Sequence, residues 1–145
     1  MLIETIHHAL SIAKERKWKK MYWAIDIHGT ILEPNYKYGN LPKKFFEGAK
    51  ETLQELTNRP EICLILYTCS HPSEIVGYLQ FFAGHNIYFE YVNQNPEVTT
   101  ASYGYYVDKL YFNVLLEDKA GFNPATDWDI IQKWLTNTNT TLLQQ

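Results

Sequence analysis

Two apolar runs without polar alternation constrain this chain more than any other feature: residues 21–27, Met-Tyr-Trp-Ala-Ile-Asp-Ile, and residues 62–67, Ile-Cys-Leu-Ile-Leu-Tyr. A strand with one face in water alternates apolar and polar residues, whereas an unbroken run is the mark of a strand buried on both faces. Each run is stopped sharply, the first by Gly29 and Thr30 and the second by Thr68, Cys69 and Ser70. Ile87 to Val92 and Tyr111 to Leu116 read as a third and a fourth strand.

Helical spacing fills the intervals. Leu2, Ile3, Ile6, Leu10 and Ala13 recur with helical period through residues 2–16. Lys14, Arg16, Lys17, Lys19 and Lys20 follow, where cations suit the negative end of the helix dipole, so the first element is read over 1–20. Pro42 can open a helix through Phe45, Phe46, Ala49, Leu53 and Leu56, stopped by Asn58 and Pro60. Pro72 starts another, with Ile75, Val76, Leu79, Phe82 and Ala83 as its apolar positions and Gly84 as its stop. Asp127 can cap a last helix carrying Trp128, Ile130, Ile131, Trp134 and Leu135, and 136–145 reads as a polar, fraying tail. The stretch 93–106 is polar and rich in tyrosine. Strands alternating with helices predict an α/β fold: a three-layer, Rossmann-like parallel sheet with helices on both faces.

A length of 145 residues suits one domain over 1–145, able to bury a core without disulfides. Cys63 and Cys69 belong to no Cys-x-x-Cys or Cys/His pattern and read as two reduced thiols. His7 and His8 diverge on a helix and make a poor metal pair. No leader is expected, because charged residues interrupt the first twenty, and no run approaches the ~18 apolar residues of a membrane span. A cytoplasmic location follows by default. The formal net charge of −3 gives no overall pull toward nucleic acid.

In parallel sheets ligands bind at the carboxyl ends of the strands. The residues there are Asp26, Thr68 with Ser70 beside it, and the pair Glu117–Asp118, while Lys109 precedes the fourth strand. Singly, these read as a cap, turn residues, solvated acids and a surface lysine. Together they bring a carboxylate, a hydroxyl, an ammonium and a second acidic cluster to one sheet edge. That set suits phosphate chemistry: oxygen ligands for Mg2+, a cation and a donor for phosphoryl oxygens, and an anionic nucleophile.

The motifs are more specific than the set. Asp26-Ile27-His28-Gly29-Thr30-Ile31-Leu32 resembles the first motif of the haloacid dehalogenase-like phosphohydrolase superfamily, Asp-x-Asp-Gly-Thr after an apolar strand. Residues 64–68 resemble its second, an apolar strand ending in Thr or Ser; Lys109 matches the lysine of the third; residues 115–118 match the fourth, an apolar strand ending in paired acids. The ending Asp118-Lys119-Ala120-Gly121-Phe122, then Asp127-Trp128, is like that of small capless members. The resemblance, over residues 21–135, implies that Asp26 attacks phosphorus and binds Mg2+ with the backbone carbonyl of His28 and with Asp118, Glu117 supporting. It implies that Thr68 donates to a phosphoryl oxygen, and that Lys109 neutralises phosphate charge and holds Asp26 ionised. A response-regulator receiver uses similar residues in another order, with the acidic pair on its first strand. A cysteine phosphatase is excluded because Ile75, not Arg, stands six positions after Cys69.

One position departs from the motif. The family's phosphatases carry a second Asp where this chain has His28, and that Asp protonates the leaving oxygen and then activates water. Imidazole can in principle do both. The open alternatives are that His28 is the acid/base, that the chain is a weakened or inactive relative binding phosphorylated ligands, or that the position was altered by engineering or serves another reaction. The 38 positions from Thr30 to Thr68 and the 41 from Thr68 to Lys109 hold no cap domain of normal size. An uncapped site accepts a large phosphorylated substrate, such as a protein or a nucleic-acid end, or is closed by oligomerisation. Tyr103, Tyr105 and Tyr106 read as packing, or as a stacking platform for bases.

Overall fold

The two apolar runs become the central strands. A computed structural model of the chain describes residues 2–138 and 142–143. Its elements are α1 (Leu2–Glu15), β1 (Met21–Ile25), α2 (Ala49–Thr57), β2 (Ile62–Leu66), α3 (Pro72–Gly84), β3 (Tyr91–Val92), β4 (Thr100–Ala101), β5 (Gly104–Tyr105), β6 (Val114–Leu116) and α4 (Asp127–Thr136), with a 3-10 turn at Asp118–Ala120. The sheet order is β3-β2-β1-β6, all parallel, and β4 and β5 form a separate antiparallel hairpin. All ten residues of β1 and β2 are buried.

Alternation along the strands divides the core. Met21, Trp23, Ile25, Ile62, Leu64 and Leu66 face the main cluster, filled by Ile6 of α1, Leu53 and Leu56 of α2, Tyr78 and Phe82 of α3, and Trp128 and Ile131 of α4. Tyr22, Cys63 and Ile65 face a smaller cluster with Tyr111, packed by Trp18, Tyr91, Val98, Tyr106 and Leu110. This is the Rossmann-like α/β architecture with no large cap. The layer on the second face is the tyrosine-rich chain between β3 and β6 in place of a long helix. Among the described residues no helix is long and apolar enough to cross a membrane.

Several boundaries move, each for a local reason. The first helix stops at Glu15: Lys17 adopts a left-handed φ of 57° and the Trp18 N–H closes onto the Ala13 carbonyl. The helix read from Pro42 begins at Ala49, because Glu33 N–H bonds the Lys44 carbonyl and Phe46 N–H the Ile31 carbonyl, holding 44–46 extended. Gly48, at φ 82°, then turns the chain into α2. In α3 the buried positions are Glu74, Tyr78 and Phe82, whereas Val76 is exposed. The left-handed residue after α3 is Asn86, not Gly84. The third strand shortens because Ile87 N–H caps the Phe82 carbonyl of α3. The fourth starts at Val114, and Tyr22 N–H bonds the Asn113 side chain in place of a backbone rung. Asp127 is the first residue of α4 and not its cap; its carboxylate accepts from Asn123 N–H at 2.8 Å. The expected polar tail returns to the core at Leu142 and Leu143, where Leu142 N–H donates to Glu61 at 2.7 Å. Its residues 139–141 and 144–145 lie outside the described residues.

Candidate functional site

The parallel register decides which side chains meet. Ile25 of β1 is aligned with Leu116 of β6 and Leu66 of β2, so the next residues, Asp26, Glu117 and Tyr67, emerge together at the carboxyl edge. Asp26 N–H continues the ladder onto the Leu116 carbonyl at 3.0 Å. The chain then folds tightly: the N–H groups of Thr30, Ile31 and Leu32 all close onto the Ile27 carbonyl. Gly29 sits in this turn at φ +79°, and a Cβ there would lie 2.9 Å from Asp118 Oδ2, so only glycine lets the turn and the acidic pair approach. The Thr30 hydroxyl joins the two segments, donating to Asp26 Oδ2 at 3.4 Å and accepting from Asp118 N–H at 3.1 Å. Trp128 locks the turn from below, its indole N–H donating to the Thr30 carbonyl at 2.7 Å.

Asp26, Glu117 and Asp118 thereby bring carboxylate oxygens within 4.8 Å of one another. Burial, with smaller contributions from Glu117 and Asp118, pushes the Asp26 carboxyl up to about 6. Glu117 is raised as well, by burial and then by Asp118. These are the signs of a carboxylate cluster with too little positive charge nearby.

Thr68, nearly buried, lies one residue past the edge of β2 and is fixed by Asn93, which accepts from Thr68 N–H and donates to its carbonyl. Its hydroxyl pairs with that of Ser70 at 2.8 Å. Lys109 stands apart. It is exposed on the rim of a cavity of about 620 Å³ bounded also by Tyr67, Asn93 and Phe112, and among the described residues neither it nor Asp26 takes part in an ion pair. The expected lysine–aspartate contact is therefore not made in this structure.

His28 turns toward α3, where its Nε2 lies 2.5 Å from the Tyr78 hydroxyl. Burial lowers the imidazole's pKa, outweighing the opposing pull of Glu74, and burial pushes the Tyr78 phenol up to about 12. Both groups are thus neutral near pH 7, and a single hydrogen bond joins them, its donor set by the imidazole tautomer. Tyr36, on the loop after the turn, packs against the His28 ring at 5.1 Å and donates to Glu74 at 2.8 Å. Tyr78, Glu74 and Tyr36 were missed in the sequence. The available signal was the four-residue spacing Glu74–Tyr78–Phe82, a single buried stripe with two polar members.

No family model matches the chain, and no curated protein matches it in sequence. Among solved structures, a conserved protein of Bacteroides thetaiotaomicron is similar, with a TM-score of 0.61 and 22% identity over 87% of this chain and 99% of that one. At that identity the likeness speaks for the architecture alone.

Proposed function

We propose that the chain is a Mg2+-dependent phosphomonoester hydrolase of the haloacid dehalogenase-like kind, working through an aspartyl-phosphate on Asp26. The observation that carries this reading is the convergence of Asp26, Glu117 and Asp118 at the carboxyl edge of a parallel sheet. An all-oxygen donor set with raised carboxyl pKa values fits a hard divalent cation. Asp26, the His28 carbonyl and Asp118 would hold it, and when bound it would supply positive charge for the phosphoryl oxygens.

The chain's own residues then divide the work. The Asp26 carboxylate attacks phosphorus, the bond to the leaving oxygen breaks, and that oxygen departs with its electron pair and takes a proton. The Thr68 hydroxyl and the Ser70 hydroxyl offer donors to the transferring group. Water then attacks the aspartyl-phosphate, restoring the carboxylate and releasing phosphate. His28 is neutral and its Nε2 is engaged by the Tyr78 hydroxyl. Such an imidazole is a weak acid for an alkoxide. The site is uncapped, so a large phosphorylated substrate fits the reading.

A second reading has its own observation. His28 facing Tyr78 and Lys109 away from Asp26 leave an acidic cluster without a strong proton donor, which suits a phosphate-binding module that turns nothing over. Steady-state hydrolysis of an aryl phosphate with Mg2+ separates the two. Turnover abolished in Asp26→Asn supports the hydrolase; an inert parent chain and an inert His28→Asp variant select the module.

A further inference from the structure

Two sequence features unused by the carboxylate site, the basic segment after α1 and the tyrosine-rich stretch before β6, meet at the opposite end of the sheet. Trp18 lies 5.8 Å from Tyr103 and 6.1 Å from Tyr111 between ring centroids, and Tyr111 lies 5.9 Å from Tyr22. These four rings wall a pocket of about 310 Å³, at the low end of the ~300–1,000 Å³ usual for small-ligand sites. Lys19 and Lys20 line it, and the Arg16 guanidinium sits 5.5 Å from the Trp18 ring and 5.9 Å from that of Tyr103.

The charges decide what such a pocket takes. Its one acid, Glu97, already accepts from Lys20 at 2.9 Å, Tyr22 at 3.1 Å and Tyr91 at 2.6 Å. An aromatic recess with a free carboxylate suits an ammonium, but here the chain's own Arg16 and Lys20 fill both roles. What remains is an excess of cations around open aromatic surface, Tyr103 being 44% exposed. Glu97 also approaches Cys63 and Glu90 within 4.8 Å, and burial pushes the Cys63 thiol up to about 12, so without a bound cation that thiol is protonated.

We propose that this pocket is a second ligand site, for a planar anionic ligand of nucleotide size: a base against the aromatic walls with its phosphate on the lysine rim. A free mononucleotide and the end of a single-stranded nucleic acid share that chemistry. Four residue steps along β1, ~3.3 Å each, separate Tyr22 from Asp26, so the proposal does not rest on the hydrolase reading.

The test is fluorescence anisotropy of a labelled single-stranded hexanucleotide without Mg2+, with competition by the unlabelled strand, by uridine 5′-monophosphate and by inorganic phosphate. Binding is expected to survive Asp26→Asn and to weaken about tenfold in Tyr103→Ala, since one stacked base is lost. It should weaken about tenfold again between ~50 and ~200 mM salt, as two or three cation–phosphate contacts imply. Lys19→Ala, at an exposed position, supplies a second variant that leaves the core untouched. Equal competition by the mononucleotide identifies a free nucleotide as the occupant; much better competition by the strand identifies a nucleic-acid end. Absence of binding, or binding lost in Asp26→Asn but unchanged in both Tyr103→Ala and Lys19→Ala, overturns the proposal.

Discussion

Asp26→Asn is expected to stabilise the metal-free chain at neutral pH while removing the proposed nucleophile. The folded protein raises the Asp26 carboxyl from 3.8 to about 6, chiefly by burial. Folding therefore favours the protonated form. The stability this group contributes is complete below its ordinary pKa and is lost as the pH rises through about 6, so the ionised carboxylate opposes folding at pH 7.5. A rise of about two units corresponds to ~3 kcal/mol. Asp26 is only partly buried, and solvent screening reduces this to about 1–2 kcal/mol. An amide keeps the shape and still accepts from Thr30 but carries no charge.

In a chain of this length such a gain raises the melting temperature by about 3–6 °C. Thermal unfolding of both proteins in chelator at a series of pH values measures it. The difference should be largest at pH 7.5 and vanish below about pH 3, under the ordinary carboxyl pKa of 3.8, where Asp26 is protonated in both states. Added Mg2+ should raise the parent's melting temperature and leave the variant's unchanged, reversing their order at sufficient concentration. Equal melting temperatures at pH 7.5, or a gain that does not change with pH, would refute the reasoning.

Three other substitutions probe the same region. Gly29→Ala forces a side chain into a left-handed turn 2.9 Å from Asp118 Oδ2; it should cost about 1–2 kcal/mol in urea unfolding and abolish Mg2+ binding measured by calorimetry. Trp128→Phe leaves the buried Thr30 carbonyl without its donor and should cost about 1–3 kcal/mol by the same unfolding assay. His28→Asp restores an acid for the leaving oxygen and should raise alkyl-phosphate turnover by ~10²–10⁴-fold while changing aryl-phosphate turnover less; equal inertness toward both substrates favours the binding module.

The legible parts of this molecule are those fixed by burial on both sides. The runs at 21–27 and 62–67 could be nothing but central strands, and a parallel sheet sends their ends to one edge, so Asp26, Thr68, Glu117 and Asp118 were placed correctly by topology alone. The parts not legible depend on pairings distant in sequence. Phe45 and Phe46 have the spacing of a helix, but residues 31–33 capture their backbone, and no local pattern records that. Val76 looks like a core residue and Tyr78 like a surface one; the reverse holds because His28, fifty positions earlier, supplies a polar partner for the buried hydroxyl. The tyrosines of 103–111 gave no periodic signal since they cover a sheet face as an irregular layer.

The same pairing explains how the fold accommodates histidine at position 28. Asp26, Glu117 and Asp118 already crowd three carboxylates within 4.8 Å, and the raised pKa values of Asp26 and Glu117 express that crowding together with burial. A fourth carboxylate at position 28 would add repulsion to this cluster whenever no cation is present. An imidazole adds none: burial keeps it neutral, its ring packs against Tyr36 and Tyr78, and its Nε2 satisfies a phenol that would otherwise be buried without a partner. Buried polar groups cost little when paired and much when not. Histidine therefore makes the metal-free edge of the sheet easier to fold, and it does so by turning toward α3 the one side chain that the proposed hydrolysis would need as a proton donor. On the proposed hydrolase reading, stability and leaving-group protonation are in opposition at this residue.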